Sequence, residues 1–262
     1  MDTYPQISFG TYRLGKDTYQ SLENALVNGY RSIDTASLYQ IEPVIGEYMG
    51  KNQINRSELW MTSKLNPKTY AKSKDDISTS IQKTLADLNT QYLDLYLIHK
   101  PPADDNQIVK CWSVMEDFYH KGIIRNLGVS NFDISHMETI KQFSTVPIYT
   151  NQIELSPFLK RPKVTKYMTD NNILISAHSS LAKGEKFDDH TINSLSQKYF
   201  KSPAQIMLQW GLQQGFNVIP RSSKKNHIVE DFQLDFKINP SDMQTLNDIQ
   251  IVHTTHPQYI IE

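Results

Sequence analysis

Four residues of this sequence carry groups that can hold or transfer a proton, and each lies at the end of a short apolar run or just after one. They are Asp34 in RSID, Tyr39 five residues later, Lys64 at the end of LWMTSK, and His99 at the end of LDLYLIH. Carboxyl, phenol and imidazole groups serve in acid–base catalysis, and a lysine amine can form a Schiff base with a carbonyl. Each also has an ordinary explanation: Asp34 could cap a helix, Tyr39 could pack in the core, Lys64 could be a surface charge, and His99 could be a hydrogen-bonded core imidazole. A catalytic role therefore requires a fold that brings the four together.

The elements that would position these residues alternate along the chain. Helical periodicity is clearest at 73–89, which begins with a Ser73–Asp76 capping box, at 106–122, and at 202–215, which has Pro203 in its first turn. Shorter helical patterns cover 18–28, 133–143, 160–171 and 188–199. Short β-type runs cover 31–34, 59–64, 93–99, 125–131, 147–152, 173–178, 217–220 and, as the eighth, 232–236.

This alternation predicts one α/β domain over residues 1–262, folded as a closed (β/α)8 TIM barrel. The competing fold, an open doubly wound sheet, binds a dinucleotide at a glycine-rich first turn. None of the 10 glycines forms a G-x-G-x-x-G or a P-loop motif, which favours the barrel. The active site of such a barrel lies at the C-terminal ends of its strands. We therefore expect the four candidate residues at one mouth of the barrel.

Composition excludes several classes of partner. The 27 Lys and Arg residues nearly balance the 28 Asp and Glu residues, so no overall charge draws the chain to nucleic acid or to an anionic membrane. No apolar run approaches the roughly 20 residues that span a bilayer. The single Cys111 cannot form an internal disulfide, and the N-terminus lacks the pattern of a signal peptide. We expect a cytoplasmic protein that acts on a small molecule.

Six segments resemble, in order, the successive signatures of the aldo-keto reductase family. They are GYRSIDTASLY, MTSKLNP, LDLYLIHKPP, LGVSNF, NQIELSPFL and VIPRS. The resemblance implies a (β/α)8 barrel that transfers hydride between a nicotinamide cofactor and a carbonyl or alcohol, and that binds the cofactor without a glycine-rich fingerprint. It also implies a monomer.

The resemblance assigns roles to the four candidate residues. Tyr39 would be the general acid, although a free phenol, with a pKa of about 10, is a poor acid near neutrality. Lys64 would lower that pKa as a nearby cation, and Asp34 would hold the ammonium in place. His99 would hydrogen-bond the substrate oxygen.

The same resemblance predicts an NADPH site, with NADPH preferred over NADH. Ser130, Asn131 and Gln152 would bind the nicotinamide carboxamide, and His178 takes the position of a tyrosine that usually stacks on the nicotinamide ring. Arg221 and Ser222 would face the 2′-phosphate, with His227 nearby. The remaining predicted cofactor residues are Glu230 and Asp231, at the adenine, together with Thr11, Asp34, Ser179 and Leu181.

Several positions depart from the family pattern. If His178 became protonated below about pH 6, its charge would repel the positively charged oxidised nicotinamide ring, and the binding of oxidised cofactor would weaken more than that of reduced cofactor. Tyr12, Asn66 and Lys100 replace common aromatic positions, so we expect a polar substrate pocket. Lys100 could attract a carboxylate or phosphate, or simply point into solvent. Relatives often carry Gly-Asn-Glu where this chain has QIE, directly after the candidate tyrosine.

The C-terminus is short after residue 250, which argues against a steroid pocket. Its His253 and His256 lack a third ligand, and we predict no metal site. Two other functions stay open at this point. The chain could be a Schiff-base lyase that uses Lys64 as nucleophile, or a non-catalytic NADPH sensor. We favour the reduction of aldehydes or ketones in small polar substrates.

Overall fold

The computed structural model describes residues 4–259 and contains one sheet of eight parallel strands whose spatial order follows the chain. The short strands are joined by helices, as the alternating sequence pattern predicts. The strands are β1 Phe9–Gly10, β2 Ser32–Asp34, β3 Trp60–Leu65, β4 Leu95–Ile98, β5 Leu127–Ser130, β6 Thr150–Glu154, β7 Leu174–His178 and β8 Asn217–Val218.

The sheet closes on itself where the first strand meets the last. The Ser8 and Gly10 amides donate to the carbonyls of Val218 and Pro220 at 2.9 and 2.8 Å, and the Val218 amide donates to Gln6 at 2.8 Å. Because β1 pairs with β2 on its other side, no unpaired edge is left there. The predicted (β/α)8 barrel is therefore confirmed.

The predicted eighth strand at 232–236 is wrong. That segment begins at the end of a helix and continues without strand pairing, although its alternating Phe232 and Phe236 pack against the core. The missing strand is Phe9–Gly10, whose two residues are too short to show an alternating pattern. Because this strand closes the barrel, the later segment has no place in the sheet.

Helices surround the barrel, and their strongest sequence signals are confirmed. The Ser73–Asp76 capping box is present, and Ser202 caps the helix that begins at Pro203. The sequence patterns missed three short helices, Glu42–Lys51, Lys225–Phe232 and Pro240–Asn247. The helices are α1 Thr18–Val27, α2 Glu42–Lys51, α3 Lys74–Asp87, α4 Asp105–His120, α5 Ile134–Phe143, α6 Pro162–Asp170, α7 His190–Tyr199, α8 Pro203–Gln213, α9 Lys225–Phe232 and α10 Pro240–Asn247.

Close packing around α2 and below the strands fixes the frame of the site. A Cβ at Gly46 of α2 would lie 2.3 Å from the carbonyl oxygen of Asp87, so only glycine permits this approach to the end of α3.

At the N-terminal side of the strands, buried Asp94 accepts from Arg56 at 2.7 Å and Arg125 at 3.1 Å. Within residues 4–259, no helix is long and apolar enough to cross a membrane.

Candidate active site

A buried ion pair lies where β2 and β3 end. Lys64 Nζ donates to Asp34 Oδ1 at 2.5 Å and to the Thr35 carbonyl at 3.0 Å, and both charged side chains are nearly inaccessible to solvent. The second carboxylate oxygen of Asp34 accepts from Gln152 Nε2 at 2.6 Å. A buried charge pair is tolerated only when further hydrogen bonds satisfy its atoms. These bonds fix the ammonium of Lys64 in one position.

Tyr39 lies beside this ammonium at the end of a 3₁₀ turn, Ser37–Tyr39. The Ser37 hydroxyl donates to the Lys64 carbonyl at 3.0 Å, which ties the turn to β3. Lys64 Nζ is 5.5 Å from the centroid of the Tyr39 ring. Gln40, which follows, has a φ of 59°. This left-handed conformation favours glycine, so a glycine would adopt the backbone of Gln40 at less cost than glutamine does.

His99 follows β4, and its ring meets the ring of Tyr39 edge-on with 5.6 Å between centroids. Burial, reinforced by the charge of Lys64, lowers the pKa of His99 well below its ordinary value. The imidazole is therefore neutral near pH 7 and can donate one hydrogen bond. The structure thus brings Asp34, Tyr39, Lys64 and His99 into one cluster.

The predicted carboxamide ligands surround the same cluster and hydrogen-bond to one another. Asn131 Nδ2 donates to the Ser130 hydroxyl at 3.0 Å and to the His99 carbonyl at 3.3 Å. The Ser130 hydroxyl donates to the Gln152 carbonyl at 2.9 Å. Asn131 Oδ1 lies 2.9 Å from His178 Nε2, so the imidazole donates to the amide oxygen.

His178 is partly buried, with Ser179 Oγ 3.1 Å from its Nδ1. Burial lowers the pKa of His178 to about 3, although the Glu154 carboxylate opposes that shift. The expectation that His178 becomes charged below about pH 6 is therefore wrong. A neutral ring occupies this position throughout the physiological range.

A second group of predicted cofactor residues lines a cavity of about 530 Å³ between the loop after β7 and α9. Burial, reinforced by the charge of Glu230, raises the pKa of Asp231 to about 7. Thr11 lies outside this cavity, and its hydroxyl donates to the Asp34 carbonyl at 2.9 Å. The predicted residues that line the cavity are Leu181, Arg221, Ser222, His227, Glu230 and Asp231.

Arg221 contacts the loop after β1, in which Arg13 was not among the predicted cofactor residues. Its Nε and Nη2 donate to the Tyr12 and Arg13 carbonyls at 2.7 and 2.5 Å. Arg13 adopts a φ of 58°, and its charge adds to burial in lowering the pKa of Arg221. The contact of Arg221 with Arg13 is therefore made to the backbone carbonyl, while the two positive charges repel one another. The basic residue in GTYRL was the only signal that could have identified Arg13.

The predicted substrate residues lie around Tyr39 and His99. The Tyr12 ring is 5.0 Å from the Tyr39 ring and remains 42% exposed. Lys100 directly follows His99, is partly buried, and its amide donates to the Tyr70 hydroxyl at 3.3 Å. Within the part of the chain that the structure describes, no group of three or more His, Cys, Asp or Glu side chains could hold a metal ion.

Comparison with known proteins agrees with this architecture. The family model for the aldo/keto reductase family matches residues 6–251. The chain is 33% identical over 246 residues to glyoxal reductase of Bacillus subtilis, covering 93% of this chain and 88% of the relative. It is 34% identical over 249 residues to a methylglyoxal reductase of Yersinia pestis, covering 94% and 88%.

Solved structures show the same fold. An aldo-keto reductase from Bombyx mori in complex with NADP superposes with a TM-score of 0.84 at 29% identity, covering 94% of this chain and 89% of that one. The matched range contains the Asp34–Lys64 pair, Tyr39 and His99. The chain belongs to the aldo/keto reductase family.

Proposed function

We propose that this protein is an NADPH-dependent reductase of small polar aldehydes and ketones, with Tyr39 as the proton donor. The observation that carries the proposal is the buried Lys64 ammonium, fixed by Asp34 and lying 5.5 Å from the Tyr39 ring. A cation at this distance stabilises a phenolate relative to a phenol. It therefore brings the acidity of Tyr39 closer to what proton transfer near neutral pH requires.

The neutral His99 supplies the second interaction with the substrate oxygen. Its ring lies edge-on to Tyr39, which places both side chains at the same end of the barrel, where one carbonyl oxygen would accept from the Tyr39 hydroxyl and the His99 N–H. An imidazole that stays uncharged donates a hydrogen bond without competing with Tyr39 as the acid. Proton donation is thereby assigned to Tyr39, and orientation of the carbonyl to His99.

The residues present fit NADPH. The amides and hydroxyls of Ser130, Asn131 and Gln152 offer the donors and acceptors that a carboxamide requires. Arg221 and Lys224 line the 530 Å³ cavity, and their positive charges suit the phosphates of the cofactor. When bound, the reduced nicotinamide supplies the hydride. The Bombyx mori relative, solved with NADP, supports this choice.

The substrate class follows from the polar rim and from the relatives. Asn66 and Lys100 follow β3 and β4 in place of aromatic residues, so the rim would be more polar than an aromatic wall, and Lys100 can attract a carboxylate or phosphate. The curated relatives include reductases of glyoxal and methylglyoxal, which are small and bear adjacent carbonyl groups. We infer that α-oxo aldehydes and related polar carbonyls are the best substrates.

The test is oxidation of NADPH, followed by absorbance, against a panel of small aldehydes, α-oxo aldehydes and polar ketones. Tyr39→Phe should lower kcat by about 10²–10⁴-fold, the range for loss of a general acid, and leave the Kd for NADPH unchanged. If the Tyr39→Phe variant reduced the carbonyl as fast as the wild type does, the assignment of Tyr39 as the acid would be overturned.

The same experiment separates the two alternatives. A protein that binds NADPH but turns over no carbonyl would be a sensor. A substrate adduct on Lys64, trapped with borohydride, would indicate a lyase. The structure disfavours that second outcome because Lys64 donates to two oxygen acceptors as a buried ammonium, and a Schiff-base nucleophile must be a free amine.

A further inference from the structure

The C-terminal segment, residues 249–256, connects the loops that follow β6 and β7. At one side, Lys160 Nζ donates to the Ile249 carbonyl at 2.6 Å. At the other side, Lys183 Nζ donates to the Thr255 carbonyl at 3.0 Å. Lys183 also lines the 530 Å³ cavity, so this segment adjoins the predicted cofactor site.

Glu154, the last residue of β6, holds this segment from inside the barrel. Glu154 is 4% exposed, and its carboxylate accepts from the Thr255 amide at 2.6 Å, the Thr255 hydroxyl at 2.8 Å and the Thr254 hydroxyl at 3.0 Å. The His256 amide adds a bond at 3.1 Å, and His256 Nδ1 lies 3.4 Å away. Burial raises the pKa of Glu154, but these bonds outweigh it and hold the value at about 2. The carboxylate is therefore charged at every pH at which the protein would work.

This attachment seats the ring of His256 against the site. The rings of His256 and His178 meet edge-on with 5.6 Å between centroids. His178 in turn donates to Asn131, which donates to the carbonyl of His99. A continuous series of contacts thus joins Glu154 and the C-terminal segment to the predicted nicotinamide ligands.

We propose that His256 is a positioning residue for the nicotinamide end of the site, because it packs against the edge of His178 and holds it against Asn131. This inference rests on the proposed NADPH-dependent function. The imidazole of His178 is smaller than the tyrosine that the family usually has at position 178, so it makes contact with less of the neighbouring surface. His256 fills the space beside it from a segment remote in sequence, and the five contacts to Glu154 keep that segment in place.

The size of the effect follows from the ring contact. An edge-on pair of this kind contributes about two- to twelvefold in an equilibrium constant. His256→Ala should therefore raise the Kd for NADPH about three- to tenfold and lower kcat about tenfold, since small misplacements at a reacting centre slow the reaction. The KM for the carbonyl substrate should stay within about twofold.

The experiment compares two ligands by fluorescence titration with the full-length protein. NADPH carries the nicotinamide, whereas adenosine 2′,5′-bisphosphate carries only the adenosine phosphates. His256→Ala should weaken NADPH alone and change the emission of the bound nicotinamide. Equal weakening of both ligands would indicate a general structural role and overturn the proposal.

Two further variants sharpen the test. His256→Phe restores an aromatic edge and should return the Kd for NADPH to within about threefold of the wild type; a Phe variant as weak as the Ala variant would overturn ring packing as the cause. His253→Ala is the matched control, because this histidine of the same segment lies 3.2 Å from Glu185 and, among the described residues, forms no ring pair with His178. Its Kd for NADPH should match the wild type, and a loss equal to that of His256→Ala would overturn the proposal.

The experiments distinguish a failure of the role proposed for His256 from a failure of the proposed NADPH-dependent function. If the wild type reduces no carbonyl and binds no NADPH, both proposals fall. If it reduces carbonyls and His256→Ala shows wild-type Kd and kcat, only the role of His256 falls.

Discussion

Glu42 makes the fold lose stability as the pH rises, and Glu42→Gln should remove that loss. Glu42 lies at the start of α2 and is 2% exposed, and its carboxyl group accepts from the Ser63 hydroxyl at 2.5 Å and the Thr84 hydroxyl at 3.3 Å. Burial raises the pKa of Glu42 from its ordinary 4.5 to about 7. Because the folded-state pKa is the higher one, the stabilisation is fully present below pH 4.5 and is lost as the pH rises through about 7.

The raised pKa sets the magnitude. Each pKa unit corresponds to about 1.4 kcal/mol, so ionising Glu42 removes about 3 kcal/mol from the free energy of unfolding by pH 8. At pH 5 most of that loss has not yet occurred, and it remains below about 1 kcal/mol. Glutamine stays neutral at both values. The substitution Glu42→Gln should therefore raise the free energy of unfolding, relative to wild type, by about 2 to 3 kcal/mol more at pH 8 than at pH 5.

Urea unfolding at the two pH values measures this difference directly. The matched control is Glu47→Gln on the same helix, because the Glu47 side chain is 51% exposed and pairs with Lys51 at 2.5 Å. Exposed pairs of this kind contribute little, so its effect should be small at both pH values. An equal change in unfolding free energy for Glu42→Gln at pH 5 and pH 8 would refute the reasoning.

Three other predictions follow from the described geometry. The ratio of the Kd values for NADP and NADPH, measured by fluorescence titration, should be constant from pH 5 to 8, because His178 stays neutral with a pKa of about 3. Gly46→Ala should lower the free energy of unfolding by at least about 2 kcal/mol, since the new Cβ meets the carbonyl of Asp87; a loss below about 1 kcal/mol would contradict this. Asp94→Asn should lower it by about 3 kcal/mol, because the part-buried Arg56 loses its carboxylate; wild-type urea unfolding would count against that account.

The alternation of strands and helices could be predicted because it depends on local patterns. The helices at 74–87 and 203–213 have both an apolar face and a capping serine, so sequence and structure agree on them. Helix α2 has Pro43, Gly46 and Gly50, which weaken its intrinsic helical signal, and it forms because tertiary packing stabilises it.

The first strand could not be predicted from its own two residues. Phe9 and Gly10 become a strand only through their partners on β2 and β8, which are remote in sequence. Segment 232–236 has the better local strand pattern and no partner in the closed sheet. A local alternating pattern indicates which segments could form strands, but the contacts that close the barrel determine which of those segments pair in the sheet.

The residues of the candidate site were accessible to sequence reasoning to different degrees. Asp34, Lys64 and His99 lie at or just after strand ends, so the barrel alone predicts that they meet. The charge state of His178 was not accessible, because it depends on burial beneath other elements. The contacts of Glu154 with the C-terminal segment also require the folded chain, since about 100 residues separate the partners.

Closure of the barrel has a consequence for how the chain matures during synthesis. The side chain of Asn217 donates to the carbonyl of Pro5, so the seam joins residues 212 positions apart. Until β8 has been synthesised, β1 and β7 each present an unpaired edge, and such edges can pair with other chains. Contacts this distant in sequence also form slowly. Completion of the barrel is therefore a late event, and a nascent chain that stops before residue 217 is an open sheet exposed to aggregation.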